Sequence, residues 1–248
     1  MVELVDLSGD IEAGQPVFPG NTRTQLFVTD THEESGYTVE QRLGESTETT
    51  QRKLQRREQG ATGEQPLTRT LLISEHGPTH IDSLTHVDPT SDGSIDQLSL
   101  DRFYVDAIGV DVSDVPGEEF IETEDIRTAL HDAGLSLTDG DAITLHTGHR
   151  DAHYGVGDPE KRHAYLHEYT GLSEDAAYWL ADQGVENIGI DSPSIDHSSA
   201  RETGRFPAHD MCAEHEVLNM ENMAHLDQVA GRRYTLAAFP LKIRDGTG

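Results

Sequence analysis

The segment Glu75-His76-Gly-Pro-Thr-His80-Ile-Asp82-Ser-Leu-Thr-His86 puts three histidines and an aspartate within eleven residues. Their spacing is His-x3-His-x-Asp-x3-His. Imidazole nitrogen and carboxylate oxygen are the donors that borderline divalent ions such as zinc favour. A His-x3-His pair on a helix would make the two-histidine face of a zinc protease. Here no Glu follows His76, and Gly77-Pro78 disfavours a regular helix, because proline removes a backbone donor and pushes the residue before it toward an extended conformation. The expectation is a turn leading into a short extended piece, in which His80 and Asp82, two apart, share a face. His86 follows Asp82 by four residues and is expected near the same site. Glu75 and Asp88 read as ordinary surface acids.

Elements on either side must position this cluster. Gln25–Val28 and Thr68–Ser74 read as strands, as do Val105–Val112, Asp141–His146, Asn187–Asp191 and Tyr234–Ile243. Thr123–Gly134 has the grammar of a helix: Thr123 as N-cap, acids in the first turn, glycine at the end. Ser173–Gly184 repeats that grammar. From about 31 to 65 the chain is polar and reads as an excursion, partly helical around Thr49–Glu58. Strands and helices intermix with short links, so α/β or α+β in one domain spanning 1–248 is expected.

Composition excludes several classes of function. Lys+Arg is 18 and Asp+Glu is 46, a formal charge of −28. A basic face for phosphate is therefore excluded, and with it a nucleic-acid partner of that kind. No run of about 18 apolar residues is present, so no membrane span is expected, and no signal peptide is visible, which points to the cytoplasm. The single cysteine, Cys212, leaves His and carboxylates as the only metal donors in number. The acid is spread along the chain and only three residues are lysine, a pattern that fits solubility in concentrated salt, where self-repulsion is screened. No Gly-x-Ser-x-Gly elbow and no Gly-x-Gly-x-x-Gly after a strand occurs.

The His-x-Gly-Thr-His-x-Asp-Ala-Pro-x-His signature of the cyclase family, which includes bacterial-type kynurenine formamidases and isatin hydrolases, resembles the 76–86 segment. Pro78 stands where that signature has Gly, and Ser83-Leu84-Thr85 stands for Ala-Pro-x. Asp6-Leu-Ser8 and Pro16-Val-Phe-Pro-Gly20 are similar to the family's N-terminal segment. Gly171 to Leu180 and Gly184 to Asp196 are similar to its central helix and strand. Pro207-Ala-His209 and Glu221-Asn222 are similar to its distal metal-binding segments. The resemblance implies a swivelling β/β/α domain, in homodimers or homotetramers. It implies that His76, His80 and Asp82 bind one metal, that Asp82 bridges to a second held by His209 and Glu221, and that His86 donates and accepts protons. Phe18 takes the place of a substrate-lining aromatic residue, tryptophan in the formamidases.

The expected function is hydrolysis of a C–N bond in a small formamide or cyclic amide by water activated between two divalent ions, zinc first and manganese as the alternative. The reading from another class is a metal- or ligand-binding protein without turnover, which has no need of a proton carrier at His86. Asp191, Ser194 and Asp196 are open between lining the site and capping turns.

Overall fold

The computed structural model describes residues 2–32, 48, 51, 52, 55, 56, 59 and 67–248. Most of the excursion at 31–65, and with it the helical reading of Thr49–Glu58 apart from Gln51, Arg52, Gln55 and Arg56, lies outside the described residues. The chain divides into two compact units, Thr24–Ile73 and the pairing of Met1–Arg23 with Ser74–Gly248.

The smaller unit contains a two-stranded antiparallel ribbon. Strand β1 (Gln25–Asp30) pairs with β2 (Thr68–Leu72), with a register irregularity between Val28 and Asp30. Thr29 and Thr70 join hydroxyls across the ribbon at 2.7 Å.

The larger unit is built on one six-stranded sheet. Its strands are β3 (His80–Ile81), β4 (Tyr104–Asp111), β5 (Ala142–His146), β6 (Asn187–Ile190), β7 (Leu218–Glu221) and β8 (Arg232–Ala237), in the order β3-β7-β6-β5-β4-β8. β7, β6, β5 and β4 run parallel, and the edge strands β3 and β8 are antiparallel to their neighbours. The last strand ends at Ala237 rather than Ile243, before Pro240, which has no ladder donor to give. The mixed α/β architecture is the one expected.

Parallel strands with both faces covered read as continuous apolar runs. Ile108, Val110, Ile143, Leu145, Ile188 and Ile190 meet the helices on one face. Those helices are α2 (Thr123–Ala133), α5 (Glu174–Asp182) and α7 (Pro207–His215), which supply Ile126, Leu130, Ala177, Leu180, Ala208 and Met211. The other helices described in this unit are α1 (Leu84–Val87), α3 (His149–His153), α4 (Pro159–His167) and α6 (Ala200–Thr203). The opposite face carries a second core around Ile81, Phe103, Ala107, Ala142, Leu218, Met220 and Leu236.

Helix α5 starts as expected, with Ser173 Oγ accepting from Ala176 N–H. Helix α2 departs by one residue. Glu122 is its N-cap, in a reciprocal capping box with Asp125, and Thr123 is the first helical residue. Gly134 closes that helix at φ 66°, in the left-handed region where a side chain is disfavoured.

Candidate metal centre

The near half of the centre comes from the turn before β3. His80 pairs across the ladder with Glu221, and Ile81 with Met220. Strand alternation sends Ile81 into the second core, while His80 and Asp82 share the other face. Asp82 continues the pairing, its N–H donating to Asn219 O at 2.7 Å. As expected, a turn, closed by Gly77 N–H donating to Ser74 O at 3.1 Å, leads into the short extended piece His80–Ile81.

Asp82 is at the middle of the cluster. Its Oδ1 lies 2.7 Å from His76 Nδ1 and 3.2 Å from His80 Nε2. Its Oδ2 faces the other way, 3.8 Å from His209 Nε2 and 4.0 Å from His86 Nε2. Glu221 joins from the end of β7, with Oε1 3.6 Å from His209 Nε2 and Oε2 3.7 Å from His80 Nε2. Asn219 Nδ2 donates to both carboxylates, at 3.0 Å to Asp82 Oδ2 and 2.9 Å to Glu221 Oε1. Six of the seven candidate residues thus converge. Phe18 packs instead beneath the Arg201 guanidinium, 5.3 Å from the ring centre.

Each buried imidazole is oriented by a partner on its far nitrogen. His80 Nδ1–H donates to Pro78 O at 2.9 Å, which leaves Nε2 facing the carboxylates. That Nε2 is buried with no hydrogen-bond partner. His209 Nδ1–H donates to Asp196 Oδ2 at 2.5 Å, and His76 Nε2 meets the Thr247 hydroxyl at 2.9 Å. Partners of this kind fix the tautomer of a metal-ligating histidine.

Asp196 is a residue that sequence reasoning left open. Its carboxylate also accepts from Ala208 N–H at 2.8 Å and His209 N–H at 3.2 Å, so it caps the first turn of α7 where Phe206, the N-cap, has no side-chain acceptor. Gly171 makes room for it, since a Cβ there would stand 2.3 Å from the backbone of Asp196 and His197. Glu75, read as a surface acid, is half-buried and accepts from the Thr247 N–H and hydroxyl at 2.7 and 2.6 Å, behind His76. Thr247 gave no signal in the sequence.

The electrostatics divide the histidines. Burial alone would push the His80 and His209 imidazoles down. Contact with the Asp82 carboxylate for His80 and the bond to Asp196 for His209, together with the charge of Glu221, lift both to about 9. Burial pushes Asp82 up, but the His76 bond and the charges of His80 and His86 hold it well below the usual carboxylate range. Burial and the charge of Asp82 raise Glu221. His86 stands at the rim with 35% of its side chain exposed and its ring 4.0 Å from that of His76. Desolvation, and repulsion from His76, His209 and His80, bring it down to about 4 against the pull of Asp82, so it is neutral at pH 7. Burial also pushes the Cys212 thiol up, which makes it an inert core residue.

The residues fit divalent cations. Two carboxylates are buried beside imidazoles whose ring nitrogens point inward, and His80 Nε2 is buried with carboxylate oxygens near it, 3.2 Å from Asp82 and 3.7 Å from Glu221. Donor atoms from His76, His80 and Asp82 form one group within 4.8 Å of one another, and those of Asp82, His86 and His209 form a second. A cavity of about 460 Å³ lined by Phe120, His197, Arg205 and Pro207, among others, reaches Asp196 but none of the four imidazoles. It is not where chemistry at the centre would take place.

Residues 5–197 match the model of the Cyclase family, described as "Putative cyclase". The chain is 25% identical to a kynurenine formamidase of Erythrobacter litoralis over 97% of its own length and 88% of the relative's. It is 26% identical to a kynurenine formamidase of Salinibacter ruber over 98% and 92% of the two chains. Among solved structures, isatin hydrolase A from Ralstonia solanacearum superposes with a TM-score of 0.75 at 18% identity, covering 98% of this chain and 87% of that one. No helix among the described residues is long and apolar enough to cross a membrane.

Proposed function

Because the chain belongs to the Cyclase family, we propose that it is a metal-dependent hydrolase that opens the C–N bond of a small formamide or cyclic amide. The observation that carries this reading is the split of Asp82, one oxygen toward His76 and His80 and the other toward His209 and His86. A carboxylate so divided is suited to bridge two ions. In this reading His76, His80 and Asp82 hold the first, and Asp82, His209 and Glu221 hold the second. Zinc is the first expectation and manganese the alternative.

Divalent ions held there would supply a water acidified toward pKa 7 and a polarised carbonyl. The chain's own residues do the rest. Asn219 keeps the two carboxylates in register, and Asp196 and Pro78 aim the imidazoles. His86, at the rim of the centre, would take a proton on its ring from the attacking water and return it to the departing nitrogen. An arylformamide such as formylkynurenine is the first substrate, and isatin-like cyclic amides are the second. Phe18 is proposed to line the substrate side. A homodimer or homotetramer working in the cytoplasm, with the dispersed acid as an adaptation to salt, completes the proposal.

The test is turnover of formylkynurenine and of isatin in high salt, with zinc and manganese supplied in turn. Turnover of at least one is expected, and His86→Ala should lower kcat by about 10²–10⁴-fold with two ions still bound. A fully metallated protein inert toward both, and toward other cyclic amides, overturns the hydrolase. Loss of an ion from His86→Ala makes His86 a ligand instead.

A further inference from the structure

Glu221 is followed by Asn222, which holds φ 55°, in the left-handed region that few non-glycine residues adopt. The surroundings fix it there from several sides. Its N–H donates to Ser192 O at 2.9 Å. The Tyr165 hydroxyl, fully buried, donates to its side-chain Oδ1 at 2.8 Å. Its carbonyl accepts twice, from the Thr79 hydroxyl at 2.6 Å and from Arg150 Nη1 at 3.2 Å. Thr79 Oγ1 in turn accepts from Gly9 N–H at 2.9 Å. Arg150 is braced by the face of Tyr154, 3.9 Å from the ring centre.

Thr79 immediately precedes His80, and Asn222 immediately follows Glu221. The hydroxyl-to-carbonyl bond therefore ties together, one residue out from each, the two strands, β3 and β7, that bring the near and far halves of the centre face to face. We infer that Thr79 and Asn222 form a latch that sets the separation of His80 and Glu221, and that Thr79, Asn222, Tyr165 and Arg150 are positioning residues for metal binding. This rests on the reading of the cluster as a two-ion cradle. The left-handed turn matters because it directs the Asn222 carbonyl back toward the 76–80 turn as the chain leaves the sheet. The hydroxyl of Thr79 is the only part of that side chain the latch uses. Its methyl group is dispensable, so serine should replace it and valine, of the same shape, should not.

The experiment measures zinc affinity by competition with a chromophoric chelator, alongside the melting of the metal-free proteins, for wild type, Thr79→Val, Thr79→Ser and Tyr165→Phe. Thr79→Val and Tyr165→Phe are expected to bind zinc about tenfold more weakly or worse, as loss of orienting partners does elsewhere, and Thr79→Ser should bind as wild type does. If Thr79→Val and Tyr165→Phe melt lower yet bind zinc as tightly as wild type, the network is structural only and the inference is overturned. If Thr79→Ser is as weak as Thr79→Val, the hydroxyl is not the working group and the latch fails. If Thr79→Val does not fold, Tyr165→Phe alone decides by the same measure. Wild type that binds no zinc and no manganese overturns the two-ion reading itself, a result distinct from tight binding in every variant.

Discussion

The two halves of the centre are built on opposite principles. The near half is local: His76, His80, Asp82 and His86 come from one turn, a two-residue strand and the first turn of α1. The far half is assembled over distance: His209 sits near the start of α7 and Glu221 at the end of β7, with Asp196 and Asn219 behind them. A turn-borne cluster depends on spacing in sequence, whereas the far pair depends on the sheet and helix packing first. The near half should therefore tolerate loss of the far half better than the reverse.

The largest effect tests what the halves share. Asp82→Ala removes the one carboxylate common to both, and should empty both sites and lower activity by about a thousandfold or more, the scale of several kcal/mol of lost charge stabilisation. Elemental analysis of the purified variant and its kcat/KM check this. Glu221→Ala should lose one ion of two and keep the other on His76, His80 and Asp82. Loss of both ions would erase the distinction between the halves.

A smaller effect is expected one shell out. Asp196→Asn can keep the Ala208 N–H half of the cap on α7 but loses the acceptor for His209 Nδ1, and should loosen only the far ion, about 10–100-fold by chelator competition. The mildest test is pH. In the ion-free protein His80 and His209 have pKa values near 9, above the ordinary imidazole value of about 6.5. The stability they lend is full below that ordinary value and is lost as pH rises through about 9. Ion binding must displace the same protons, so zinc affinity should climb from pH 6 to 9 while the melting point of the ion-free protein falls over the upper part of that range. A zinc affinity flat across those values would show that neither imidazole gives up a proton to the ion.

The contrast also explains what could be read in advance. The near half was legible because its donors are crowded into one short segment, and Gly77-Pro78 excluded a helix there. His209 is one histidine of 14 and Glu221 one acid of 46, and neither stands out without the family resemblance. Asp196 looked the same as a turn cap because it is one: the carboxylate that caps α7 is the carboxylate that holds His209. Thr247 meets His76 across 171 positions, a separation no local pattern encodes. The expected strands were readable from β-rich and apolar runs, but β7, four residues long and the carrier of Glu221, was not among them; two boundaries that moved trace to particular side chains, Glu122 at one helix and Pro240 beyond the last strand.

The brevity of β3 has a consequence for how the chain can change. Ile81 faces the oily side and its two neighbours face the polar one, so their roles are fixed by odd and even position. Inserting or deleting one amino acid ahead of it would carry the imidazole into grease and leave isoleucine among charges. Drift in the length of that loop is thus forbidden even where drift in its letters is not.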